Sequence, residues 1–399
     1  MRRVSLFAAS ALIALAATAV RAQDSNHVSV TFDDRGLVFA APGRATEVAM
    51  RFYIQPLITL QANDTGSGGR PRHVGMQIRR ARFGFTGTTI DPRLHFNFQL
   101  AFSRQDLDLE TLGIANIVAD ANIVWNWTPN LFTMVGQGKI YGLRQQINPA
   151  GELEFPDRSI VYSTFAPDRD AGVMSGYTHT LGKGPLMVRG SITEGEGRNS
   201  AIGDDGLAYG ARVDWQPLGA FRATGAFSEA DLQHEPSARL AVGAGRIEDK
   251  KAVRVSGFSG ALLYAPRDIG TTYVDATFKR RGLAIEAEFA KRETRDPVTR
   301  SGTSTRAVFA GYGVNAEASY VMHGGFAPAV RVSSIVPDAA IYGASGVQRK
   351  TETAVELARF MSGHHLKWQV EFGHDDSRDP ATMVRTGLYY SKLSVLAGL

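Results

Sequence analysis

The residues able to do chemistry gather in one stretch. Between Lys139 and Asp170 the chain carries the cations Lys139, Arg144, Arg158 and Arg169, and the acids Glu152, Glu154, Asp157, Asp168 and Asp170. Arg80 and Arg82 stand upstream, in Arg79-Arg80-Ala81-Arg82-Phe83. Guanidinium groups offer several fixed donors to an oxyanion, and Arg or Lys placed around a pore select anions. The carboxylates have two possible uses: they dilute that attraction, or they pair with the arginines to hold a shape. Four cations against five acids leave the stretch at −1, so its composition alone does not attract anions.

Other chemistries find little support. His364-His365 and His374-Asp375-Asp376 fall at the ends of a predicted hairpin, where polar turn residues are expected, so no metal site is assigned. Gly195-Glu196-Gly197 and Gly203-Asp204-Asp205-Gly206 read as hairpin turns, with weak calcium binding as the alternative. His323-Gly324-Gly325 has no serine in an elbow beside it. The expectation is a protein with no catalytic group, no cofactor and no metal. A nucleic-acid partner is not expected either. The net charge is +5, but Arg2, Arg3 and Arg21 supply three of those charges, and no basic run interleaves with aromatics.

Those three arginines belong to an export signal. Arg2 and Arg3 precede an apolar run from Leu6 to Val20, and Val20-Arg21-Ala22 offers a cleavage site after Ala22. The run is shorter than the roughly 20 residues that a spanning helix needs. Residues 1–22 are therefore read as a signal peptide, and 23–46 as an N-terminal periplasmic segment leading into the main body. Cysteine is absent, which suits an exported chain closed by its own strand ladder.

What must carry the charged stretch is a set of strands. Phe96, Phe98, Leu100 and Phe102 alternate with His95, Asn97, Gln99 and Ser103, a period of two that no helical stripe can satisfy. The same alternation recurs across Gly75–Thr89, Asp120–Trp127, Leu207–Trp215, Phe221–Ser228, Tyr273–Lys279, Leu283–Ala290, Val314–Tyr320 and Leu366–Phe372. Asp91-Pro92, Pro129-Asn130 and Pro217 read as turns. In Thr353–Phe360, Glu356 and Arg359 fall on opposite faces, which suggests a bulge or a strand end. Trp125, Trp127, Trp215 and Tyr390 at strand ends fit a membrane-interface girdle. Asp120, Asp214, Glu286, Glu288 and Glu371 fall on faces turned toward a lumen. The expected fold is all-β: a transmembrane antiparallel barrel over 47–399 with about 16 strands, since bacterial barrels use even numbers. A soluble periplasmic β-sandwich that binds a ligand is the rival, and an adhesive or structural barrel with a plugged lumen is another.

The charged stretch interrupts this pattern. A segment of about thirty residues holding three prolines is long for a strand connection, and long loops are usually functional. Phe155, Ile160, Val161, Tyr162 and Phe165 need something to pack on, so residues 140–170 are expected to fold into the barrel and narrow it.

The order of these motifs resembles a known family. Arg79-Arg80-Ala81-Arg82-Phe83 is followed by Gly136-Gln137-Gly138-Lys139, then Phe155-Pro156-Asp157-Arg158-Ser159, then Ala166-Pro167-Asp168-Arg169-Asp170-Ala171-Gly172-Val173. That succession resembles the phosphate-selective porins of the O and P type. The resemblance implies a homotrimer of sixteen-stranded barrels in the bacterial outer membrane, in contact with its lipid. It further implies passage of small hydrophilic or anionic solutes such as phosphate. It implies that Arg80 and Arg82 line the lumen, that Lys139 stands where strand gives way to loop, and that Arg144, Arg158 and Arg169 lie in or beside the constriction. Asp157, Asp168 and Asp170 would be acids of that loop.

Overall fold

In the computed structural model, residues 28–33, 35–42, 45–64, 73–107, 116–200, 206–222, 228–344 and 346–398 are described. The signal peptide, the Gly203-Asp204-Asp205 turn and the strand positions Ala223, Thr224 and Phe227 lie outside them.

Alternating side chains produce strands, and the strands form one continuous antiparallel ladder. A short hairpin, β1 (Ser29–Asp33) and β2 (Gly36–Ala40), precedes β3 (Glu47–Asn63), β4 (His73–Thr89) and β5 (Asp91–Ala101). Next come β6 (Val118–Thr128), β7 (Leu131–Lys139), β8 (Arg169–Leu181), β9 (Gly184–Thr193) and β10 (Ala208–Trp215). Then follow β11 (Arg239–Arg254), β12 (Leu262–Arg280), β13 (Leu283–Thr294), the small hairpin β14 (Val298–Ser301) with β15 (Ser304–Ala307), and β16 (Gly311–Tyr320). The last are β17 (Phe326–Pro337), β18 (Arg349–Ser362), β19 (Leu366–Arg378) and β20 (Arg385–Gly398). The main sheet has 18 strands, of which β1 and β2 are an appendage on β3. The remaining sixteen close on themselves, because β20 pairs with β3 from Gly398↔Tyr53 to Leu388↔Asn63.

Burial runs inside out. On β17, Val330 is 53% exposed while its neighbour Arg331 is 1% exposed; on β19, Phe372 is 58% exposed and Glu371 is fully buried. Apolar side chains facing outward and charges facing inward describe a barrel wall between lipid and a polar lumen, not a sandwich with an apolar core. The soluble sandwich is thereby excluded. The phenylalanines that alternate on β4 and β5 form part of the outer band, with Phe83 packed edge-on to Phe85 and Phe85 stacked on Phe98.

Several local expectations are corrected. The turn between β4 and β5 is made at Ile90, whose φ is 60°, and Asp91 and Pro92 already belong to β5. β5 ends at Ala101, so Phe102 to Arg104 lie beyond the strand. No strand lies among the described residues from Gln216 to Ala238; Phe221 is buried in a connection instead. β18 runs unbroken past Glu356, which points inward, and Arg359, which points outward over the ring of Phe326. Opposite faces are what an odd spacing requires, so no bulge is needed there. Tyr390 is no girdle residue: it points inward, with its hydroxyl within hydrogen-bond distance of Glu352 (2.8 Å) and Glu371 (2.9 Å).

The connections alternate between two ends. Tight turns such as Pro129-Asn130, Gly182-Lys183 and Arg281-Gly282 mark one end, and longer loops mark the other. The connection 216–238 breaks the rule, being long yet on the short-turn end.

Candidate functional site: the constricted lumen

Residues 140–168 leave β7 at the long-loop end and turn into the lumen, as one-turn helix Arg144–Ile147, a turn at Pro149–Glu152 and helix Ile160–Phe165. The two ends of the loop meet at Gly142, where a Cβ would come within 2.6 Å of Pro167 Cδ. Ser159 caps the second helix by accepting from Tyr162 N at 3.1 Å. Ile140, Leu143, Val161 and Phe165 form an apolar floor with Met174, Ile247, Tyr273 and Ile335, so the loop is packed rather than draped.

Charge fixes the rest of the loop mainly to β10, β12, β13, β16, β17 and β19, with a further hold on β4. Arg144 Nε donates to Asp275 at 3.0 Å and its Nη2 to Asp214 at 2.8 Å. Arg212 pairs with the same two acids. Gln145 N donates to Glu288 at 2.8 Å, and Gln145 Nε2 donates to Glu317 at 2.8 Å. Arg331, on β17, donates to Asp157 O at 2.9 Å, and Lys367, on β19, to Leu153 O at 2.5 Å. Asp157 pairs with Arg79, an extra inward residue created by a bulge between β3 and β4. Burial opposes ionisation of Asp157, but Arg79, Lys392 and Arg80 hold its carboxyl well below the usual carboxylate range. Burial pushes the Glu154 and Glu229 carboxyls the other way, up to about 7.

The half of the lumen that the loop leaves free contains a cavity of about 260 Å³. Its barrel side is Arg51 and Tyr53 on β3, Arg82 on β4, Gln99 on β5, Asp120 on β6, Lys139 on β7 and Arg169 on β8. The loop side is Pro149, Ala150, Gly151 and Glu152, and His364 and His365 stand at the short-turn end. Four cations on one wall thus face a loop turn with one carboxylate. The cations are not equally free. Arg82 donates to Asp106 at 2.6 Å, and Arg169 forks onto Asp120 at 2.9 and 3.1 Å. Lys139 Nζ donates to Ile147 O at 3.2 Å and Asn148 O at 2.9 Å, which leaves its charge without a carboxylate partner among the described residues. Arg51 makes no salt bridge among them, and the charge it acts on is Glu152 across the cavity, whose ionised form it favours.

Of the six cations singled out in the sequence, the structure therefore brings Arg82, Lys139 and Arg169 to the cavity. The other three do not line that cavity and hold the loop instead. Arg80 donates to Gln55 and to Pro156 O, Arg144 is buried against Asp214 and Asp275, and Arg158 donates to Gln145 O and Asn148 O while covering the Tyr162 ring. Among the acids, Asp157 anchors the loop, Asp168 pairs with Arg169 and Arg198, and Asp170 is the second residue of β8 and accepts from Gly195 N. Arg51 was missed. Its signal was present in Arg51, Tyr53 and Gln55 alternating with Phe52 and Ile54 on β3.

A family model, phosphate-selective porin O and P, matches residues 55–344, a span that contains the infolded loop, most of the strands that anchor it and most of the cavity lining. The chain belongs to this family. The porin is a channel protein of the bacterial outer membrane through which small solutes pass. In fold it is similar to OmpF of Salmonella typhi solved with daunomycin, at 13% identity and a TM-score of 0.58, with 89% of this chain and 98% of that one covered. It is also similar to OprB of Pseudomonas putida, at 12% identity and a TM-score of 0.55, with 88% and 94% covered. An anion-selective porin from Comamonas acidovorans matches at 10% identity and a TM-score of 0.53, with 89% and 100% covered. No curated protein matches the porin by sequence.

Proposed function

We propose that the porin passes small anions in preference to cations, with phosphate among them, and does so as a passive channel without catalysis. The observation that carries this reading is the one-sided wall of Arg51, Arg82, Lys139 and Arg169 around the free cavity. Because Asp106 and Asp120 neutralise Arg82 and Arg169, the attraction rests on Arg51 and Lys139. Two cations without a carboxylate in salt-bridge range, one of them bonded to loop carbonyls, give a weak, fast site. A permeating ion must leave as readily as it enters, so this suits conduction better than a deep trap. The outer apolar band contacts membrane lipid, residues 1–22 are removed on export, and three copies assemble, as the family implies.

Planar-bilayer reversal potentials in a salt gradient test the selectivity. Wild type should be anion-selective, and added phosphate should reduce its chloride current. Arg51→Ala and Lys139→Ala should each move the reversal potential toward cations, while Arg158→Ala, whose side chain holds the loop, should move it less. A cation-selective wild type overturns the reading.

A further inference from the structure

The constriction is built from two directions. Connection 216–238 rises from the short-turn end and its described residues 228–235 reach the underside of the infolded loop. Lys279 holds this segment, donating to Ser228 O at 2.7 Å and Ala230 O at 2.8 Å. Asp231 pins it again by accepting from Gly282 N at 2.7 Å in the β12–β13 turn. The segment is thus tied to the barrel wall before it touches the loop.

Among the described residues, Glu229 makes the hydrogen bonds to the loop. Glu229 N donates to Glu152 O at 3.2 Å. Its carboxylate accepts from Glu154 N at 2.5 Å and from Gln145 Nε2 at 3.1 Å. Glu229 is 4% exposed and does not line the cavity. What it grips is the turn whose Pro149, Ala150, Gly151 and Glu152 form the loop side of the passage. Glu152 supplies the one carboxylate of that side and faces the cationic wall.

We infer that Glu229 is a positioning residue for ion selectivity: it fixes the Pro149–Glu152 turn from the short-turn side and so sets how closely the Glu152 charge opposes Arg51 and Lys139. The inference rests on the anion-preferring reading above. With Glu229 in place, Glu152 partly cancels the wall's attraction for anions. Without it the turn relaxes, the passage widens and Glu152 moves out of register with the cations.

The test is a double-variant cycle read in single channels. Glu229→Ala should raise conductance and move the reversal potential toward anions. Glu152→Gln alone should produce a similar shift in reversal potential with conductance nearer wild type. In the Glu152→Gln background, Glu229→Ala should still raise conductance but should add no further shift. Should Glu229→Ala yield no folded barrel, Glu229→Gln serves in its place, since it keeps the side-chain volume and forfeits one of the two acceptors. Wild-type conductance and reversal potential in both Glu229 variants would overturn the inference. So would a full second shift in the Glu152→Gln background, which would mean that Glu229 acts through its own charge. Failure of the anion reading is separate, because it is read from the wild-type reversal potential alone.

Discussion

Lys139 and Arg144 are near neighbours in the chain, of the same charge, with opposite fates. Lys139 ends β7 on an inward position, where its ammonium stays at the cavity wall with carbonyl partners. Arg144 is carried by one helical turn into the wall and is consumed by Asp214 and Asp275. Charge at this scale says nothing about role until the partners are known. Removing Arg144 leaves Arg212 to neutralise the two acids, so the loss is that of its charged hydrogen bonds, about 1.5–3 kcal/mol each. Arg144→Ala should accordingly lower the thermal unfolding midpoint of the detergent-solubilised barrel. It should also make the open-channel current noisier, as the start of the loop loosens. A quiet channel with an unchanged midpoint would contradict the anchoring role.

At the scale of elements, the infolded loop is held by a polar interior that is sensitive to pH. Glu154 sits on the loop with its carboxyl buried, and burial raises it from 4.5 to about 7. The folded state therefore holds a proton that the unfolded chain gives up near 4.5. Stability must then fall as pH rises from there to about 7. Asp157 works in the opposite sense. Its carboxyl is held low by Arg79, so its contribution is present above the ordinary aspartate range and is lost only in strong acid. The expected outcome is a wild-type unfolding midpoint that declines between pH 5 and 8 more steeply than that of Glu154→Gln. Parallel pH profiles for the two proteins would show that Glu154 is not protonated in the fold. The loop was legible as an insertion because it interrupts the period of two. The second infolded segment was not, because Phe221 and Ser228 continue the alternation of β10 although neither lies in a strand.

The whole molecule is an inverted globule. Lipid replaces the apolar core, and the lumen takes the charges that a soluble protein would leave on its surface. Val332 on β17 is 53% exposed and mid-strand, between inward Arg331 and Ser333. A cation facing lipid near the bilayer midplane costs about 2–4 kcal/mol. Val332→Arg should destabilise the barrel by that order in urea titrations from phospholipid vesicles, and Val332→Leu should be close to neutral. Equal stability of the two variants would mean that β17 does not face lipid.

The class of fold was written in the sequence. Alternation specifies which side chains share a face, and a face of Phe, Leu and Val opposite one of Asp, Glu and Arg needs an apolar medium on one side and water on the other; only the inverted burial decides that the apolar side is lipid and not a sandwich core. A long interrupting loop follows from the same reading; the even strand number rests on what bacterial barrels share, not on alternation. The pattern does not say which charge meets which. Arg80 and Arg82 both point inward from β4, yet one supports the loop through Pro156 and the other reaches the cavity with Asp106 as its partner. Closing the barrel brings β3 beside β20 and the loop against β10 to β19, and only that closure decides which cations are neutralised. Arg51 became a wall residue because the loop packed against the opposite side and left its half of the lumen empty. Local spacing fixes direction along a strand; partners are fixed by contacts between residues far apart in the chain.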